Sequence, residues 1–131
     1  MSYYQEELKR IRQSIYSNQS QIDLAIATKD FIKKNSESDL NLDLLSENLF
    51  ISKYHLLRNF KRYYGLTPRQ FLIDTRIQKS KKLLACGYTV TGTCFKVGFS
   101  SLGSFSTLFK SRTGMSPTQF QKRATFKKHL S

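Results

Sequence analysis

The sequence predicts an all-α protein: two copies of a short helix, a tight turn and a longer helix, joined by a long linker helix and preceded by a helical extension. Three observations carry this prediction. Residues 60–71, FKRYYGLTPRQF, and residues 109–120, FKSRTGMSPTQF, are identical at six of twelve positions, where chance supplies roughly one. The only two prolines, Pro68 and Pro117, sit 49 residues apart inside that match. Apolar residues recur at helical spacing along most of the chain, and no segment alternates as a strand does. Upstream of the match, Phe50 and Ser52 are set against Phe99 and Ser101 at the same offset.

Each unit repeats one local grammar. In the first, Asn41 suits the N-cap of a helix Leu42–Leu49, whose Leu42, Leu45 and Leu49 share a face. Phe50–Ile51 is a turn, Ser52 is the next N-cap, and a helix follows from Lys53 to about Tyr64. Its inward stripe is Leu56, Phe60 and Tyr63 or Tyr64. Gly65 suits the left-handed residue that ends a helix, and Thr67 with Pro68 suits the start of the next. In the second unit, Thr89 or Thr91 opens a short helix containing Val90, Cys94 and Val97, with Gly92 as an internal weakness. Gly98 ends it, Ser101 caps a helix from Leu102 to about Thr113, and Phe105 and Phe109 point inward. Gly114 stops that helix and Pro117 starts another. Short helix, tight turn and longer helix form the helix-turn-helix pattern.

Between the units, Ile73, Ile77, Ser80 and Leu84 define one amphipathic helix of about seventeen residues, roughly 25 Å long, closed by Gly87. Ahead of them the pattern predicts two helices. Tyr4, Leu8, Ile11 and Ile15 share a face on the first, Ser17–Ser20 breaks it, and the second covers about residues 22–34. The organisation expected is an extension at 1–20, a first helix-turn-helix at 21–66, a linker helix at 67–87, a second helix-turn-helix at 88–123 and a basic tail at 124–131, with His129 in a mobile end.

The charge is uneven. The chain of 131 residues carries a formal charge of +13. Residues 1–40 are neutral, whereas residues 41–131 hold sixteen Lys and Arg against Asp43, Glu47 and Asp74. Such an excess points to a polyanion, with double-stranded DNA first and an anionic membrane second. No apolar run is long enough to span a bilayer and no secretory leader is present, so a reducing cytoplasmic compartment is expected.

With the stripes placed inward, the outward faces follow. In the first long helix the outward residues are Lys53, Tyr54, Leu57, Arg58 and Lys61. In the second they are Leu102, Gly103, Ser106, Thr107 and Lys110. A helix fits the major groove, where Arg58 can chelate guanine O6 and N7 and where Tyr54 and Leu57 can pack on thymine methyls or sugars. Ser106 and Thr107 offer adaptable hydroxyls and Gly103 allows close backbone approach, so the first unit is expected to read sequence more strongly. Ser52, Lys53, Lys61, Arg69, Lys96, Ser101, Lys110 and Arg112 are expected at phosphates. Lys79, Lys81, Lys82 and Lys122–Lys128 are further candidates. The linker helix can set the two long helices near the 34 Å repeat of successive major grooves.

The segments LNLDLLSENLFISKYHLLRNFKRYYGLTPRQFL and VGFSSLGSFSTLFKSRTGMSPTQF resemble the arabinose-regulator (AraC/XylS) family of bacterial transcription factors, over about Gln21–Arg123. The resemblance implies a seven-helix unit with two helix-turn-helix motifs. It places base contacts on Tyr54, Leu57 and Arg58 in the first motif and on Leu102, Gly103, Ser106 and Thr107 in the second. RNA polymerase is a candidate second partner. Many members of the family carry a further domain ahead of this unit. Here about twenty residues precede it, which fits either a small stand-alone regulator or a piece of a longer chain.

No catalytic constellation, cofactor motif, metal-ligand spacing or effector site is evident, and no enzyme activity is expected. His55 is expected in a structural or phosphate-contacting role. Cys86 and Cys94 read either as core thiols or as a redox switch. Two rivals to a sequence-specific regulator remain: a basic protein binding nucleic acid without regard to sequence, and an interaction module in the neutral first forty residues. In the second rival, the Tyr4–Ile15 stripe packs on a partner; alternatively it caps the domain core.

Overall fold

A computed structural model describes the backbone of residues 3–130 and all their side chains except those of Tyr3, Tyr4, Arg12, residues 14–17 and Leu130. The described residues form seven α-helices and no strand: α1 (Tyr3–Lys34), α2 (Leu42–Leu49), α3 (Lys53–Tyr64), α4 (Pro68–Ala85), α5 (Val90–Lys96), α6 (Leu102–Thr113) and α7 (Pro117–Leu130). Helices α2 and α3 make the first helix-turn-helix, and α5 and α6 the second. The expected all-α class and the two-motif arrangement are both present.

The caps lie where the sequence sets them. Asn41 accepts from Leu44 N at 2.8 Å, Ser52 from His55 N at 3.2 Å, and Ser101 from Ser104 N at 3.1 Å. Thr89, not Thr91, opens α5 by accepting from Gly92 N at 3.0 Å. Thr67 and Gln70 exchange two bonds of 2.9 and 3.1 Å across the start of α4, a capping box. Ser116 and Gln119 repeat it, at 3.0 and 3.1 Å, across the start of α7. The aromatic packing also repeats at an offset of 49. Phe60 meets Phe71 edge-on at 5.6 Å between ring centroids, and Phe109 meets Phe120 edge-on at 5.4 Å.

The repeat is not uniform, because the turn of the second unit is one residue longer. Phe50 adopts the left-handed conformation at φ 55°, and the residue doing so in the second unit is Gly98, at φ 110°, not Phe99. Ile51 N donates to Ser46 O and Phe99 N to Cys94 O, each at 3.1 Å, so Phe99 is the counterpart of Ile51. The offset is therefore 48 before the turn and 49 after it. Phe99 is buried in the second core, and its counterpart Ile51 packs half-buried against the first; Phe50, which precedes Ile51, is 94% exposed. A one-residue difference in a turn is invisible to matching at a fixed offset.

Two cores result. Ile32, Leu40, Leu45, Leu56, Phe60 and Leu72 fill the first; Ile77, Leu84, Cys94, Val97, Phe99, Phe105 and Phe109 fill the second. Helix α4 supplies both, with Leu72 in one and Ile77 and Leu84 in the other. Arg76, on the same helix, donates to the carbonyls of Ser36 and Ser38 at 2.7 Å each and lies 5.4 Å from the centroid of Phe99. Lys79 reaches Lys33 O and the Ser36 hydroxyl from the next turn. Gln121 of α7 donates to the carbonyls of Leu84 and Tyr88, closing the second unit onto α4.

Three expectations are corrected. Residues 17–20 do not break the N-terminal segment, because α1 runs unbroken for 32 residues. Ser, Asn and Gln lower helix propensity by only tenths of a kcal/mol each, and the side chains of Gln19 and Asp23 bond across one turn at 3.0 Å. Residues 124–130, expected as a mobile tail carrying His129, continue α7 as helix. No Gly or Pro interrupts them, and cations in a last turn are favourable there. The alternative in which the N-terminal stripe caps the core fails at its described positions. Leu8 is 40% and Ile11 49% exposed, while Tyr4 and Ile15 have side chains outside the described residues.

Two stability predictions follow from local geometry. A Cβ on Gly98 would lie 2.8 Å from Ser36 O and 2.9 Å from Arg76 Nε at positive φ, whereas one on Gly65 (φ 74°) would meet nothing within 4 Å. Gly98→Ala should therefore cost about 3 kcal/mol or more, and Gly65→Ala about 1 kcal/mol, in denaturant titration. Thr93 is fully buried and its hydroxyl has no partner. Thr93→Val should stabilise by about 1 kcal/mol and raise the melting temperature by about 4 °C.

Candidate nucleic-acid interface

The second helix of each motif is held by its inner face and capped at its leading end, which leaves the other face to solvent. On α3, Leu56 and Phe60 are buried and Tyr54 is 76% exposed. Arg58 and Lys61 are exposed beside it, and Leu57 is half-buried. On α6, Phe105 and Phe109 are buried; Leu102, Gly103, Thr107 and Lys110 are exposed and Ser106 is half-buried. All seven residues expected at bases thus lie on outward or flanking positions of these two helices. A Cβ on Gly103 would meet only Ser101 Oγ, at 3.8 Å, so the surface there is open.

Residues expected at phosphates differ in what already holds them. Lys61, Arg69 and Lys110 are exposed and form no ion pair among the described residues. Lys96 is exposed and lies 4.7 Å from the centroid of Tyr88. Lys53 pairs with Asp43 at 2.7 Å across the α2–α3 turn, and this bond and charge raise its pKa. Arg112 pairs with Asp74 at 2.7 Å, tying α6 to α4. The hydroxyl oxygens of Ser52 and Ser101 accept as N-caps, which leaves each hydroxyl proton free to donate outward. Lys79, a further candidate, is engaged by α1 and the segment after it.

A cleft of about 830 Å³ opens between the two motifs. Leu57 of α3 and Ser104 and Leu108 of α6 wall it, with Arg69, Arg76 and Phe95 between them. The long helices of the two motifs thus flank one depression on a shared scaffold. At 18 residues α4 is roughly 27 Å long.

Sequence periodicity did not reveal the residues that aim α3. Asn59 is buried; its Nδ2 donates to the carbonyl of Gln21 at 2.9 Å, locking α3 against α1, and its Oδ1 has no partner. Its only signal is a polar residue on the inward side of an otherwise apolar stripe. Arg76 carried no signal at all, since an Arg on an amphipathic helix reads as solvated. Burial lowers its pKa. Among the described residues no cluster of metal-ligating side chains occurs, and no helix is long and apolar enough to cross a membrane.

Two helix-turn-helix motifs on one linker helix, each presenting a basic and partly apolar second helix, define a double helix-turn-helix DNA-binding domain. A profile described as a helix-turn-helix domain matches residues 45–123, and the chain belongs to the AraC/XylS family of transcription regulators. It is 34% identical over 92 residues to an uncharacterized HTH-type transcriptional regulator of Pseudoalteromonas carrageenovora, covering 70% of this chain and 55% of that protein. It is 31% identical over 94 residues to the bifunctional transcriptional activator and DNA repair enzyme AdaA of Bacillus subtilis, covering 71% and 44%. The chain thus spans about half the length of these curated relatives. Among solved structures, the C-terminal domain of AraT, a response regulator from Geobacillus stearothermophilus, superposes with a TM-score of 0.74 at 27% identity, covering 76% of this chain and 84% of that one. The DNA-binding domain of AdpA, solved in complex with a target DNA, has the same fold, with a TM-score of 0.76 at 19% identity over 82% and 97% of the chains.

The cysteines are unlike each other, and the core-thiol alternative fits Cys94 alone. Cys94 is buried and donates to Ser101 O at 3.6 Å, and desolvation raises its pKa; Cys86 is exposed at the end of α4. Titration with a thiol reagent should find one fast thiol, lost in Cys86→Ser, and a second that reacts only on unfolding. Two fast thiols in the native protein would contradict the packing of α5 on α6.

Proposed function

We propose that this chain is a sequence-specific DNA-binding transcription regulator that sets α3 and α6 into adjacent major grooves of double-stranded DNA. The observation that carries the proposal is the outward face of α3. Tyr54, 76% exposed, stands beside Leu57 and Arg58 on a helix whose Leu56 and Phe60 are fully buried. An exposed tyrosine and a half-buried leucine next to an arginine suit thymine methyls beside a guanine.

Roles follow from chemistry. Arg58 takes guanine O6 and N7; Tyr54 and Leu57 take methyls or sugars. Leu102, Gly103, Ser106 and Thr107 bring α6 close with little side-chain chemistry, so its groove is read mainly through approach and shape. Lys61, Arg69, Lys96 and Lys110, with the hydroxyls of Ser52 and Ser101, hold phosphates. Lys53 and Arg112 join them by exchanging Asp43 and Asp74 for phosphate oxygens. Action on transcription implies RNA polymerase as a second partner and a cytoplasmic setting.

The test is selection from genomic fragments at about 150 mM salt, with Arg58→Ala alongside. The expected product is a motif of two boxes about 10 bp apart, with one box relaxed in the variant and a loss of about 1–3 kcal/mol on the selected site. Enrichment with no motif, equal for both proteins, would replace this reading with sequence-indifferent binding of nucleic acid by a basic protein.

A further inference from the structure

Only part of α1 belongs to the domain. Its anchorage begins at Gln21, whose carbonyl accepts from Asn59 and whose side-chain oxygen meets the Tyr63 hydroxyl at 3.5 Å. Ala25, Thr28 and Ile32 are buried beyond it. Residues 3–20 form five turns of helix ahead of that anchorage, and their described side chains are exposed, apart from a half-buried Glu7. Most helical stability in proteins comes from packing of an apolar face, and the described side chains of this segment have little of it. The segment leaves Leu8 and Ile11 exposed, and Ile22 continues the same line.

The spacing of these residues says what covers them. Leu8, Ile11 and Ile22 fall at positions a, d and a of a heptad, and by sequence register Tyr4 is d, Ile15 is a and Asn18 is d. Position d of the next heptad is Ala25, buried against the domain, so the open seam ends at Ile22 after nearly three heptads. We propose that the first part of α1 pairs with the same segment of a second copy of this chain in a parallel, in-register coiled coil from Tyr4 to Ile22. Parallel pairing brings position g of one helix against position e of the next heptad of its partner. Here g holds Glu7 and e holds Arg12, so the two-fold axis creates two opposite-charge pairs. Antiparallel pairing sets g against g and e against e, where Glu7 and Arg12 never meet. Asn18, at d, finds its amide partner in the second Asn18 only when the helices are aligned, and so selects that register at some loss of affinity.

Helix α1 is continuous from the seam into the domain, so the two-fold of the coil passes to the two DNA-binding units. Resting on the DNA-binding reading, this gives an operator of two bipartite sites in inverted orientation.

Sedimentation equilibrium of the full chain tests the pairing without DNA. Across the micromolar range the mass should rise from 15.2 kDa toward twice that value. Ile11→Lys should raise the dissociation constant by at least about tenfold while keeping the melting temperature of the domain and binding to a single bipartite site. Glu7→Arg should weaken pairing by about threefold, and adding Arg12→Glu in the same chain should restore it. A monomer at every concentration, or a dimer indifferent to Ile11→Lys, would overturn the proposal. A dimer weakened by Ile11→Lys but not rescued by the double charge exchange would overturn its parallel register. Neither result touches the DNA-binding proposal, which the single-site measurement reads separately.

Discussion

Arg76 joins the two halves of this molecule. Its guanidinium crosses from the middle of α4 to the carbonyls of Ser36 and Ser38, in the segment between α1 and α2, and lies over the ring of Phe99 in the second core. Gly98 passes so close that a Cβ there would collide with the same carbonyl and the same guanidinium. Helix α4 already contributes Leu72 to one core and Ile77 and Leu84 to the other. Apolar burial alone would tolerate some sliding of one unit against the other, because it has no direction. Two short charge-assisted bonds to fixed carbonyls do not tolerate it. The relative setting of α3 and α6, on which the proposed reading of two grooves depends, therefore rests on a clamp near the centre of the linker.

Around that clamp the two motifs are built alike and carry different outward residues. The caps, the capping boxes, the glycines ending α3 and α6 and the edge-on phenylalanine pairs all recur. These are the parts that hold a long helix with one face outward. What the faces carry has diverged: an exposed tyrosine, a leucine and an arginine on α3, against glycine and hydroxyls on α6. The turn has diverged too. The first motif accepts left-handed backbone at Phe50, at an energetic cost of about 1–2 kcal/mol for a residue with a Cβ. The second has glycine there and sets a phenylalanine, Phe99, where the first sets Ile51 against its core. The second core thereby gains the ring on which Arg76 rests.

Helix α1 has two roles along one continuous rod. Its C-terminal half is part of the first core and, through the Gln21 carbonyl, positions Asn59 and hence α3. The described side chains of its N-terminal half join no core. A weakly charged, apolar-striped helix joined to a strongly basic body divides the labour: charge near the polyanion, and an uncharged seam where two like-charged bodies must meet.

Much of this was legible in the residues. The bounds of α2, α3 and α6, their caps, the inward stripes of α3, α4 and α6 and the faces left outward follow from interactions within four residues, which the order of side chains specifies directly. The family resemblance rests on the same local signals. Tertiary structure alone decided the bonds spanning 33 to 46 residues: Asn59 to Gln21, Arg76 to Ser36 and Ser38, Lys79 to Lys33 and Ser36, Gln121 to Leu84 and Tyr88. It also decided the difference between Cys86 and Cys94, and the one-residue slip between the turns. Helical periodicity says which face of a helix is buried. It does not say which distant carbonyl a long polar side chain will find, because that depends on how separately formed helices come together.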